Sequence, residues 1–143
     1  MKKITLLSMV LFAFIVNAQQ VLIQNFQTPS SYSSLASFGG AQAAIVTDPV
    51  AGAANGQVLR GIQGPGGEVY QGIEFVLTEK RIKLTSDKTM KVDVYCSVAF
   101  NLLAKLEQGG PNTATSKEYT TPGQWQTLTF DFNVPRDGQA VAN

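Results

Sequence analysis

The stretch that decides the fold is Met90–Gln108, MKVDVYCSVAFNLLAKLEQ. Two sets of its apolar residues fall on every second position: Met90, Val92, Val94 and Cys96, then Leu102, Ala104 and Leu106. Period two places successive side chains on opposite faces of a strand, whereas a helix would repeat its apolar stripe every ~3.6 residues. At 19 residues the pattern is too long for one strand, which usually runs to ~5–6. It breaks at Ser97. Two strands are therefore expected, Met90–Cys96 and Phe100–Glu107. The first turns Lys91, Asp93 and Tyr95 away from the core, and the second turns Leu103, Lys105 and Glu107 away.

The same alternation extends in both directions. Towards the C-terminus Ser116–Thr120 reads as a weak strand and Pro122-Gly123 as a turn. Leu128, Phe130, Phe132 and Val134 then form an apolar face opposite Thr127, Thr129, Asp131 and Asn133. Towards the N-terminus strands are expected at Val21–Phe26, Gln42–Asp48, Gln57–Ile62 and Glu68–Leu77, with a short edge piece at residues 82–84. Pro49, Asn55-Gly56 and Gly64-Pro65-Gly66-Gly67 separate them as turn signals. A single turn around Ser31–Ala36 is the one helical element expected. Seven or eight short strands at regular spacing indicate an all-β, antiparallel β-sandwich, of which the jelly roll is one form. After Val134 the chain runs through Pro135, Asp137 and Gly138 with no further strand pattern. The sandwich is accordingly expected to lack its C-terminal strand or strands, with the domain covering residues 19–143.

Residues 1–18 read as a secretory signal peptide. Lys2 and Lys3 precede an uncharged apolar run of 13 residues, Ile4–Val16, and Ala18 offers a small residue for cleavage. A bilayer-spanning helix needs ~20 apolar residues, so the run is too short to stay in the membrane. Export predicts a periplasmic, cell-surface or extracellular location and no integral membrane segment after cleavage. The remaining chain of about 125 residues is long enough for one domain with a real core. Loss of the two lysines takes the formal net charge from +1 to −1, which leaves no electrostatic footprint for nucleic acid. Cys96 is the only cysteine, so no disulfide forms within the chain and apolar burial must supply stability.

The sequence holds no histidine, which removes the commonest general base and metal ligand together. A glycosidase needs two carboxyl groups ~5–9.5 Å apart. Glu68 and Glu74, on one face of an extended strand, would stand ~20 Å apart. Asp93 and Asp131 read as solvated strand-face carboxylates. The glycines of 61–67 precede a strand, so they make a turn and no phosphate cradle. One cysteine without histidine cannot complete a zinc site. No cofactor is expected; the cation chemistry left open is a structural Ca2+ held by Asp side chains and backbone carbonyls, with no local motif for it.

What survives is a set of amphipathic residues on the non-core faces. Tyr70 and Tyr95 offer rings for the C–H face of a sugar, with Lys105, Glu107 and Asp131 as polar partners for its hydroxyls. Each also has a plain reading, the tyrosines as ordinary strand residues and Lys105 as half of a surface ion pair. Trp125, the only tryptophan, admits two roles. Its parity with Thr127 and Thr129 makes it a solvent-side platform; its place just after a Gly turn makes it a structural plug over the core end, the reading favoured here.

Several segments together resemble a known family. They are Gly39-Gly40-Ala41, Thr47-Asp48-Pro49, Asn55-Gly56-Gln57-Val58-Leu59 and Tyr70-Gln71-Gly72-Ile73. They continue as Lys91-Val92-Asp93-Val94-Tyr95, Leu103-Ala104-Lys105-Leu106-Glu107 and Gly123-Gln124-Trp125-Gln126-Thr127-Leu128-Thr129-Phe130. The pattern is similar to the jelly-roll, carbohydrate-binding-module-like (galactose-binding-like) domains of secreted Bacteroidetes proteins. The resemblance implies a non-catalytic sandwich whose partner is a polysaccharide or oligosaccharide and which is followed by further domains, often glycan-degrading enzymes. It also places Trp125 in the family framework. Two other functions stay open on the sequence: a structural or adhesion spacer in a large surface protein, and the N-terminal part of a glycoside hydrolase with catalytic residues beyond Asn143.

Overall fold

A computed structural model describes residues 22–78, 82, 84, 88–107 and 112–133. The expected signal peptide, residues 85–87 and 108–111, and the segment after Asn133 lie outside those residues. The described chain is all-β, as the alternation requires. Its eight strands are β1 (Tyr32–Phe38), β2 (Gln42–Thr47), β3 (Gln57–Ile62), β4 (Gly72–Leu77), β5 (Thr89–Val94), β6 (Phe100–Leu106), β7 (Thr113–Tyr119) and β8 (Gln126–Asp131). All pair antiparallel, in four two-stranded ribbons: β1–β4, β2–β3, β5–β8 and β6–β7. Four separate ladders make an antiparallel all-β fold; they do not establish a jelly roll.

The chain divides into two compact units, Met1–Glu79 and Lys80–Asn143. Each unit nests one ribbon inside another, with β2–β3 between β1 and β4, and β6–β7 between β5 and β8. In the second unit the two ribbons share one apolar core. Met90↔Phe130 and Val92↔Leu128 face each other across β5–β8. Leu84, Tyr119, Leu128, Phe130 and Phe132 are buried there, with Ile82, Val94, Cys96, Leu102, Ala104 and Leu106 packed around them. Burying a Leu or Phe side chain stabilises by ~1.5–3 kcal/mol, so this cluster holds the unit together.

The first unit is built differently. None of its described residues is buried. Its order comes from ladders, tight turns and side-chain clasps. Gly39 (φ 63°) and Gly40 (φ 93°) turn the chain from β1 into β2 in the left-handed region that glycine tolerates. A Cβ on Gly64 would strike the Gly40 carbonyl, so two glycine turns lie backbone against backbone. Gln27 reaches across to the β2–β3 turn, where its Nε2 donates to Asn55 O (2.7 Å) and Gln57 O (2.6 Å) and its Oε1 accepts from Gln57 N (3.1 Å).

Three expectations need correction. Val21–Phe26 does not form a strand over its described residues. Phe26 takes a positive φ of 61°, and its ring packs edge-on against Tyr32 and Phe75 at 6.0 and 5.4 Å. The first strand is instead Tyr32–Phe38, preceded by a short 3-10 turn at Pro29–Ser31. Pairing with β4 over Leu35↔Phe75 and Ser37↔Ile73 outweighs the local turn preference of the serines. The strand expected over Glu68–Leu77 starts only at Gly72. Val69 and Tyr70 sit in a turn closed by Gln71 N donating to Glu68 O (3.0 Å), so the extended spacing between Glu68 and Glu74 does not apply. Ile82 and Leu84 belong to no strand; Leu84 inserts into the core.

Candidate functional site

The outward face of the β5–β8 ribbon carries the most suggestive grouping. The ladder pairs Asp93↔Thr127, Lys91↔Thr129 and Thr89↔Asp131 on the face opposite Met90, Val92, Leu128 and Phe130. Extending the register by one step brings Tyr95 opposite Trp125. Their ring centroids are 5.7 Å apart with planes at 46°, a spacing typical of a favourable aromatic pair. Both rings are half-buried. Next along the face, Thr127 Oγ1 donates to Asp93 Oδ1 at 2.6 Å, and both residues are exposed. Two rings followed by a carboxylate–hydroxyl rung can offer an apolar floor and hydrogen-bond acceptors to one ligand.

What orients this end of the ribbon is a residue the sequence reading passed over. Tyr119, buried at the end of β7, directs its hydroxyl at three carbonyls, Thr121 O (2.5 Å), Gln124 O (2.7 Å) and Cys96 O (2.9 Å). A hydroxyl has one proton to give, and Gly123 N supplies a second donor to Cys96 O at 2.7 Å. The hydroxyl thus ties the Thr121–Gln124 turn, and with it Trp125, to the chain just after Tyr95. Gln126 adds a second tie: its Oε1 accepts from Thr120 N (2.9 Å) and Thr121 Oγ1 (3.1 Å). A tyrosine closing a strand before Thr-Thr-Pro-Gly was the available signal. Its burial was not visible, because Ser116-Lys117-Glu118 before it are polar.

The remaining candidates fall elsewhere. Lys105 forms an ion pair with Glu107, both about half exposed, on β6 rather than on the β5–β8 ribbon. Asp131 lies at the far end of β8 from Trp125, ~20 Å along the strand. Its Oδ1 accepts from Asn133 N and Nδ2, both at 2.9 Å, closing the turn after the strand. Asp93 and Asp131 are four strand positions apart on this face, ~14 Å, beyond the separation two catalytic carboxyls use. Tyr70 is an exposed turn residue of the first unit, 65% accessible. The structure therefore joins Tyr95 to Trp125 and Lys105 to Glu107, and sets Asp131 at the other end of the β5–β8 ribbon from the aromatic pair.

A second feature of the Lys80–Asn143 unit is an open depression of about 530 Å³ lined by Asn101, Ser116, Lys117, Glu118, Thr120 and Gln126. All six of these residues are polar, although their aliphatic stems contribute part of the wall. Among the described residues no three His, Cys, Asp or Glu side chains converge as a metal site requires, and no helix is long and apolar enough to cross a membrane. Comparison with protein-family models, with curated proteins and with solved structures finds no match to this chain.

Proposed function

We propose that this chain is a secreted, non-catalytic β-sandwich module that binds a polysaccharide or oligosaccharide, alone or in support of an attached glycan-degrading enzyme. The observation that carries the reading is the Tyr95–Trp125 pair on the outward face of β5–β8, continued by the Thr127–Asp93 rung. Sugar rings present an apolar C–H face that stacks on aromatic rings, with hydroxyls at the rim for polar partners. The resemblance to carbohydrate-binding modules supports the same reading, as does a sequence without histidine. Export by the signal at residues 1–18, the galactose-binding-like jelly roll and further domains after Asn143 are parts of this proposal.

Affinity electrophoresis and calorimetry against laminarin, xylan, alginate and cellulose test it. Binding to at least one polysaccharide is expected, with Tyr95→Ala lowering affinity tenfold or more and Tyr70→Ala leaving it unchanged. A protein retarded by none of them would end the glycan reading.

A spacer or adhesion module is the second reading, favoured by one observation. Trp125 is half-buried against Tyr95, as a framework residue would be. On that reading Trp125→Ala lowers the melting temperature and no glycan binds.

A further inference from the structure

The β2–β3 turn carries a feature that glycan binding does not use. Asn55 precedes Gly56, both are exposed, and Gly56 has a φ of 67°. The Asn55 side chain is latched: its Nδ2 donates to Asp48 Oδ2 at 2.7 Å, while Val50 N holds Asp48 Oδ1 at 2.8 Å. The Asn55 carbonyl accepts from Gln27 Nε2 at 2.7 Å. The geometry points to Asn55-Gly56 as a site of spontaneous deamidation in the folded protein, with Asp48 as the latch that restrains it and is lost when it occurs.

The chemistry needs only water. The Gly56 nitrogen, after losing its proton to base, bonds to Asn55 Cγ; the Cγ–Nδ2 bond breaks and Nδ2 leaves as ammonia. A water molecule then opens the resulting cyclic imide at either carbonyl, giving aspartate or isoaspartate. One water is consumed, one ammonia is released, and nothing is oxidised or reduced. Glycine is the residue whose nitrogen is least hindered for this attack. The Gly56 φ of 67° favours a glycine at the reactive position, and a Cβ there would also sit 2.5 Å from Gln27 Oε1 and displace the clasp. Gln27 also polarises the Asn55 carbonyl, and a hydrogen bond there stabilises the anionic amide that forms when Gly56 N–H is deprotonated. Against this, ring closure requires the Asn55–Asp48 bond to break.

The product cannot restore the latch. A carboxylate at position 55 would meet the Asp48 carboxylate at hydrogen-bond distance, and like charges repel. Isoaspartate also adds a methylene to the backbone, shifting Asn55 O and Gln57 away from Gln27. Conversion to aspartate would therefore release the Asp48 latch, and conversion to isoaspartate would release the β2–β3 turn from both clasps.

The test is incubation of the full chain at mildly alkaline pH and body temperature, followed by peptide mapping with isoaspartate detection. Asn55 is expected to convert at least tenfold faster than Asn25, Asn101, Asn112 or Asn133, which precede Phe, Leu, Thr and Val. Asp48→Ala should speed conversion several-fold, Asp48→Asn, which keeps an acceptor, should stay nearer the parent rate, and Asn55→Ser should abolish it. Amide exchange should rise at Asp48 in Asn55→Asp, and at both Asp48 and Gln57 in the isoaspartate form of the converted chain. Asn55 staying intact in the folded chain while the urea-unfolded chain converts would overturn the site. Conversion unchanged or slower in Asp48→Ala would overturn the latch.

Discussion

The two units solve one topological problem with different materials. Both nest an inner ribbon within an outer one. The Lys80–Asn143 unit closes its pair of ribbons over aromatic and aliphatic side chains that are almost wholly shielded. The Met1–Glu79 unit has no buried residue among those described and depends on left-handed glycines, a positive-φ phenylalanine and the Gln27 clasp. Nested pairing thus does not dictate how stability is obtained. Apolar burial resists local opening, whereas exposed hydrogen bonds net only ~0.5–1.5 kcal/mol each and open readily.

Core truncation should break the contrast most sharply. Phe130 is 1% exposed, and Phe130→Ala should cost about 3–5 kcal/mol in denaturant unfolding. Phe75→Ala in the first unit, at 38% exposure, should cost roughly half as much or less, since its area is already partly in water. Equal losses would show that the first unit has an apolar core after all. Tyr119→Phe comes next. It keeps the ring and removes the hydroxyl that ties Cys96, Thr121 and Gln124, so a loss of about 1–2 kcal/mol is expected. Weaker mutual quenching of Tyr95 and Trp125 fluorescence should accompany it.

Gln27→Ala should cost about 1 kcal/mol and raise amide exchange at Gln57, leaving β5–β8 untouched. A rise confined to the β2–β3 turn would show that the clasp acts locally. Lys105→Ala is the smallest change: its half-exposed ion pair with Glu107 should be worth less than about 0.5 kcal/mol and fade with salt. A larger loss would mean that Lys105 packs as well as pairs.

Legibility followed the strength of alternation. Met90–Val94, Phe100–Leu106 and Leu128–Asp131 matched their expected faces, most cleanly where Val92, Leu128 and Phe130 each stand between polar neighbours, whereas Tyr95 and Cys96 fall beyond the end of β5. Thr113-Ala114-Thr115 escaped notice. All three are buried, and Thr113 Oγ1 has no hydrogen-bond partner among the described residues. Small and polar residues give no periodic signal, so only the packed neighbour reveals their burial. Of the candidate site, Tyr95 was legible as an outward aromatic. Its pairing with Trp125 required the β5–β8 register, which joins residues thirty positions apart.

The sequence alone determined the all-β class, the strands with clean alternation and the turns that glycine and proline enforce, since these depend on neighbours within a few residues. Tertiary structure decided that Tyr32–Phe38 is a strand, that Phe26 turns left-handed, that Tyr119 anchors the Trp125 turn, and that Tyr95 meets Trp125. Each of those outcomes hangs on a partner distant in the chain: a ladder, a ring or a carbonyl that local propensity cannot supply.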